Sequence, residues 1–386
     1  VKKTKKSLFR RPVILSLVLL LVASGMGLAS CDQFGATPRG DYQAELALSP
    51  QYDPDKDIFV NRRPDILDTM TVWQNFWADP LGRDEPNFLF NSNQGEPDGP
   101  LPEGRSSPSS VFAETGGDLQ FIWLGHWTVL MSIDGKTILI DPVFSEFASP
   151  VPVAAKRFQP PAMSLEDLPP IDHILISHDH YDHLDMDTIK FFVGKDVDFV
   201  VPIGVGVHLR YWGIEESRIT ELDWWEQAVK DGLLYIATPA QHFSGRGILN
   251  GNTTLWASWV LKAAGKSVYF SGDSGYDTHY EAIGNALGPF DLVFMDYGQY
   301  DKGWQAVHNL PEEGVQAFED LRGDHLVPVG WGMFNLAVHN WYDPPREATR
   351  LSRERGIKLI TPRLGQPISM DAPPLFDEWW LEMMER

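Results

Sequence analysis

Cysteine is nearly missing: Cys31 is the single one in 386 residues. Disulfides are therefore excluded, and so is any metal site built from thiolates. Positive charge is scarce too, with 32 Lys and Arg against 53 Asp and Glu and a net charge of −21. Lys2, Lys3, Lys5, Lys6, Arg10 and Arg11 crowd the start, so the rest of the chain carries about −27. A surface of that sign excludes nucleic acid as a partner and electrostatic docking onto anionic lipid. No apolar run is long enough for a spanning helix: residues 13–23 are soon followed by Ser24, Gly25 and Gly27. No internal repeat is visible either.

The basic start, the short apolar run and the small residues Leu28-Ala29-Ser30 before Cys31 form a targeting pattern. Cys31 stands where a bacterial lipobox places its modified thiol. The expectation is a signal peptide over 1–30 and lipidation of Cys31. The product is an exported, membrane-anchored bacterial lipoprotein, held by its acyl chains rather than by charge.

Residues 31–117 read as an irregular N-terminal extension, rich in Pro, Gly, Asn, Asp and Ser, with a helix over 64–76 and an exposed loop over 95–110. Interleaved aromatics (Tyr52, Phe59, Trp73, Trp77, Phe88, Phe90) predict that it packs on the main domain. Over 118–386, short apolar runs alternate with turns: 119–124, 137–140, 171–176, 198–201, 233–237, 254–261, 267–271, 292–295, 325–329 and 358–360. Amphipathic helical stretches at 186–192, 276–287, 311–321 and 344–355 fall between some of them. Pro311 with Glu312 and Glu313 is a typical helix start. Two sets of strands with helices outside predict a layered α/β sandwich.

The densest chemistry lies in Ser177-His178-Asp179-His180-Tyr181-Asp182-His183-Leu184, with the spacing H-x-H-x-D-H. It follows the apolar run 171–176, which reads as a buried strand. Alternate side chains of an extended segment share a face, so His178 and His180 can point at one cation. Once the chain turns, Asp182 and His183 are free to point at a second. Imidazole and carboxylate suit zinc and its first-row neighbours. Further polar groups recur at strand ends: Gln241-His242, Gly272-Asp273-Ser274-Gly275, His308, Gly330-Trp331-Gly332 and His339.

These segments resemble the metallo-β-lactamase-fold hydrolases, and within them the bacterial relatives of the phospholipase D that hydrolyses N-acylphosphatidylethanolamine. The likeness runs from about Phe34 to Pro367. It includes Trp123-Leu124-Gly125-His126, Ile140-Asp141-Pro142-Val143-Phe144, the histidine block, Pro239-Ala240-Gln241-His242, Phe270 to Tyr276, His308 to Glu313 and Trp331-Gly332-Met333-Phe334. It implies a four-layer αββα sandwich. By the same likeness His178, His180 and His242 hold a first zinc, Asp182 and His183 a second, with Asp273 bridging. Asp182 and His308 are the implied catalytic residues, His308 near a substrate phosphate, while Asp141 and Gln241 orient the site.

One departure stands out. The family pattern has a histidine immediately before Trp-Gly, and this chain has Gly330, leaving one or two ions open, with His339 a candidate replacement. The expected activity is hydrolysis of a phosphodiester, such as a phospholipid, by metal-activated hydroxide. The alternatives are a lactone hydrolase on the same fold, a non-catalytic metal-stabilised lipid-binding lipoprotein and, least favoured by the downstream motifs, a β-lactam hydrolase.

Overall fold

The computed structural model describes residues 32–79, 93–104, 112, 119–152, 154–247 and 250–384. The expected signal peptide and Cys31 lie outside the described residues, as do Phe88, Phe90 and most of 105–118. Among the described residues no helix is long and apolar enough to cross a membrane.

The N-terminal extension carries a helix, Gly40–Leu46, and a two-stranded ribbon, β1 (Tyr52–Asp53) with β2 (Ile58–Phe59). Leu46, Tyr52 and Phe59 insert into the central core. The helix expected over 64–76 is split. A short 3-10 turn, Ile66–Thr69, precedes the helix Val72–Ala78. Between them Thr71 N donates to Gly303 O at 2.8 Å, which anchors the break on the main domain.

The main body is two seven-stranded sheets. The first contains β3 (Leu119–Gly125), β4 (Thr128–Ile133), β5 (Lys136–Ile140), β6 (His173–Leu175), β7 (Asp198–Pro202) and β8 (Ile219–Leu222). The second contains β9 (Gln227–Lys230), β10 (Leu233–Thr238), β11 (Ser258–Ala263), β12 (Lys266–Phe270), β13 (Phe290–Asp296), β14 (Gly323–Val329) and β15 (Lys358–Leu359). A last strand, β16 (Pro367–Ser369), joins the first sheet. The orders are β16-β3-β4-β5-β6-β7-β8 and β15-β14-β13-β12-β11-β10-β9. In each, antiparallel hairpins (β3–β5, β9–β12) continue into parallel strands (β5–β8, β12–β15). The same strand plan thus occurs twice without a sequence repeat.

Period-two alternation sorts each strand between layers. In β3, Leu119, Phe121 and Trp123 face the other sheet, while Ile122 and Leu124 face the helices outside. Phe121 meets Phe294 of β13 edge-on, centroids 5.1 Å apart, in the middle of the sandwich. Helix Met186–Phe191 and helix Gly206–Tyr211 cover the first sheet through Ile189 and Leu209. Helices His279–Leu287, Pro311–Asp320 and Asp343–Arg355 cover the second through Ile283, Val315, Phe318 and Leu351. This is the four-layer αββα sandwich.

Several expectations shift. Strands β4, β8 and β9, and helix Gly206–Tyr211, were not predicted. The run 254–261 becomes a strand only from Ser258, because Leu255 N bonds Ile203 O and Ala257 N bonds Ser177 O, both at 2.9 Å. Those residues cross to the loops of the first sheet instead.

Candidate metal centre

Loops leaving the ends of β6, β10, β12 and β13 converge on one point between the sheets. After β6 the backbone turns at His180, whose carbonyl accepts from His183 N at 3.1 Å and Leu184 N at 2.8 Å. That turn separates His178 and His180 from Asp182 and His183, as the H-x-H-x-D-H spacing predicts. His178 Nε2 lies 2.8 Å from His180 Nδ1, and His242 Nε2 lies 3.2 Å from the same atom. Asp273 Oδ2 sits 3.8 Å from His178 Nε2 and 3.4 Å from His242 Nε2. These four donors form one group, and Asp182, His183 and Asp273 form a second. In the second, His183 Nε2 is 3.2 Å from Asp273 Oδ2 and 3.5 Å from Asp182 Oδ2. Asp273 belongs to both.

The donors are held from behind. Asp141 is fully buried and accepts from Ser177 N at 2.7 Å and Ser177 Oγ at 2.6 Å. Its Oδ2 also lies 2.7 Å from His183 Nδ1, which leaves Nε2 for the cluster. The carbonyl of Val307 does the same for His242 Nδ1 at 3.0 Å. Asn61 of the N-terminal extension clamps the His242 backbone at both ends, donating to His242 O at 2.7 Å and accepting from His242 N at 3.1 Å. His126 Nε2 lies 2.9 Å from Asp182 Oδ2. Gln241 Nε2 donates to Ala306 O at 2.9 Å, so it braces a neighbouring loop.

Arg246 fastens the whole histidine block. Its fully buried guanidinium donates from Nη1 to Asp179 O and Leu184 O, both at 2.7 Å, and from Nε to Gln33 O at 2.9 Å. It lies over the Tyr181 ring at 4.0 Å. Asp179, between two ligand histidines, accepts from Gly245 N at 2.7 Å and Thr254 Oγ1 at 3.0 Å.

Electrostatics follow burial and neighbours. Burial, with the other imidazoles nearby, pushes His178 well below the usual histidine range. Burial likewise lowers His242 and His180. These rings are therefore neutral, the form that binds cations. Burial opposes protonation of His183 as well, but Asp273 and Asp182, with Asp141 bonded to its Nδ1, outweigh it and raise the group well above that range. Asp182 and Asp273 are held ionised below the usual carboxylate range, the neighbouring imidazoles overcoming burial.

A divalent cation fits this donor set. His183 Nε2 and Asp273 Oδ1 are buried with no hydrogen-bond partner, and both residues belong to a cluster of like donors. Neutral imidazoles with two carboxylates are ligands for a first-row divalent ion. The residues that would hold it are His178, His180, His242 and Asp273, with Asp182 and His183 beside them.

His308 reaches the same cluster, its Nε2 3.8 Å from Asp273 Oδ2. Its Nδ1 lies 2.8 Å from Asp296 Oδ2. Burial works against its charge, but Asp296 and Asp273 push it up to about 9. Asp296 was missed in the sequence, although it ends the apolar run 292–295; so was Asn61, in a stretch without periodicity. His339, a candidate replacement ligand, does not join the donor groups. Its Nε2 lies 2.7 Å from Gly298 O and its Nδ1 2.8 Å from Asn340 O, and the ring stacks on Tyr300 at 4.4 Å. Both nitrogens are occupied elsewhere.

Comparison with known proteins agrees with this geometry. Residues 136–331 match the Beta-lactamase superfamily domain. An uncharacterized protein of Mycobacterium tuberculosis is 42% identical over 76% of this chain and 79% of its own length. N-acyl-phosphatidylethanolamine-hydrolyzing phospholipase D 1 of Caenorhabditis elegans is 35% identical over 65% of this chain and 73% of that protein. Isothiocyanate hydrolase from Delia radicum gut bacteria superposes with a TM-score of 0.51 at 20% identity, over 65% of this chain and 98% of that one, which bears on the fold alone. With a domain match across half its length and a donor cluster at the place the fold provides, the chain belongs to the β-lactamase superfamily and is one of its metal-dependent hydrolases.

Proposed function

We propose that the protein is a zinc-dependent phosphodiesterase that cleaves a phospholipid or related small phosphodiester. The observation that carries this reading is the convergence of three imidazoles and Asp273 on one point, with Asp182, His183 and His308 alongside. The choice of a phosphodiester leans on the names of the Caenorhabditis elegans relative and of a 32% identical Saccharomyces cerevisiae relative, also an N-acyl-phosphatidylethanolamine-hydrolyzing phospholipase D.

A divalent ion held by His178, His180, His242 and Asp273 would supply Lewis acidity for phosphoryl oxygens and for a water near neutral pH. The chain's own groups do the rest. Asp182 and Asp273, held ionised, accept hydrogen bonds from the attacking water and hold its orientation. Asp296 fixes His308 at Nδ1, leaving Nε2–H to face a phosphoryl oxygen beside Asp273. Phe243 stacks on His242 at 4.7 Å and meets His180 edge-on at 4.7 Å, an apolar wall that shields one side from water.

Membrane anchoring through acyl chains on Cys31 belongs to the same proposal, since it brings the site to a lipid substrate, with no role for nucleic acid. Cys31→Ala should release the protein from the membrane fraction. The activity test uses zinc-reconstituted protein on bis(p-nitrophenyl) phosphate, on N-acylphosphatidylethanolamine vesicles and on a lactone panel. Phosphodiester turnover is expected. Faster lactone opening would transfer the reading to a lactone hydrolase, and an inert, zinc-loaded protein would overturn catalysis.

A further inference from the structure

Asp273 is shared by three donor groups, the third with Asp296 and His308; the first two are unequal, and the cause lies beside them. The first has three imidazoles and Asp273. The second has Asp182, His183 and a share of Asp273, with Asp182 Oδ2 already facing His126 Nε2 at 2.9 Å. Trp127 flanks this second group. Its fully buried indole lies against the His183 ring, centroids 5.1 Å apart and planes tilted by 33°. Its only polar atom, Nε1–H, is a donor without a partner, which offers a cation nothing.

Behind the indole is Gly330, brought there by backbone pairing. Gly330 N donates to His126 O at 3.0 Å, and His126 N donates to Trp331 O at 2.9 Å. The glycine has φ +83°, and a Cβ built on it would lie 2.7 Å from Trp127 Cζ2 and 3.3 Å from Gly298 Cα. No side chain from this position can reach the cluster while the indole is in place.

We infer that Trp127 and Gly330 together wall off the second ion position, so that the protein binds one divalent ion tightly and a second only weakly. This rests on the metal-dependent reading of the site and sets its stoichiometry. The indole replaces a ligand with an apolar plane, and the first group is complete without it.

Elemental analysis of zinc-loaded, desalted protein tests the inference, together with cobalt(II) titration of the metal-free protein followed by visible absorption. One zinc per chain is expected, with the second cobalt(II) binding at least 100-fold more weakly than the first. Two retained zinc ions would overturn the inference. No retained zinc would defeat the metal reading itself, so the two failures are distinct. The double variant W127A/G330H should retain two ions, whereas G330H alone should not. A double variant that keeps its first ion and its unfolding temperature but gains no second would overturn the role of Trp127. Should that variant not fold, the wild-type stoichiometry and titration decide.

Discussion

Asp141 sits with φ at 40°, a left-handed conformation for a residue with a side chain, and its neighbour across the site, His126, has φ 52°. Such backbone costs about 1–3 kcal/mol and persists only where surrounding contacts enforce it. For Asp141 those contacts are the bonds to Ser177 and to His183 Nδ1, which fix the ring that faces Asp182 and Asp273. Asp141→Asn should therefore keep the fold yet weaken ion binding by roughly 10–100-fold, read by competition with a chromogenic chelator. Replacing a direct donor is harsher: His178→Ala should lose the ion and at least about 1,000-fold in turnover, checked by elemental analysis beside the activity assay. Legibility at this scale follows chain distance. Residues 178–183 declare themselves because four donors are contiguous and the turn at His180 is local. Trp127 and Gly330 are separated by most of the sandwich in sequence, so the glycine was visible as a departure, but the ring that fills its space was not.

Among the elements, strands with strong apolar alternation were readable and the edge strands were not. Gln-Ala-Val-Lys of β9 carries little apolar signal because it lies at the rim of its sheet, partly open to water. Strand β4 follows β3 after only His126 and Trp127, too short a break to show as punctuation. Helix His279–Leu287 supplies a pH prediction. His279 is buried at its start, where burial first, and then Arg62, hold it down to about 3. Its folded pKa lies below the ordinary value of about 6.5, so below that pH the unfolded chain takes up a proton that the folded chain refuses. The stability this neutral ring protects is fully present above about pH 6.5 and is lost as pH falls towards 3. Urea unfolding of His279→Gln against wild type, from pH 7 to 4, should show the wild type losing stability more steeply.

Across the whole molecule, the candidate ligands come from loops of both sheets: His178, His180 and His183 follow β6, whereas His242 and Asp273 follow β10 and β12. A bound ion therefore joins the two halves, and it stabilises only the folded chain. At free divalent ion about 1,000 times the dissociation constant that linkage amounts to about 4 kcal/mol, so chelation should lower the calorimetric unfolding temperature. The central layer is shared in the same way. Phe121→Ala, which removes the partner of Phe294, should cost about 3–5 kcal/mol in denaturant while the transition remains single.

The guanidinium of Arg246 joins Gln33 to the peptide that carries the histidine block. One side chain thus ties the N-terminal extension to the peptide groups on either side of His180 and His183. Arg246→Ala should therefore weaken ion binding, read by chelator competition, even though no candidate ligand is touched.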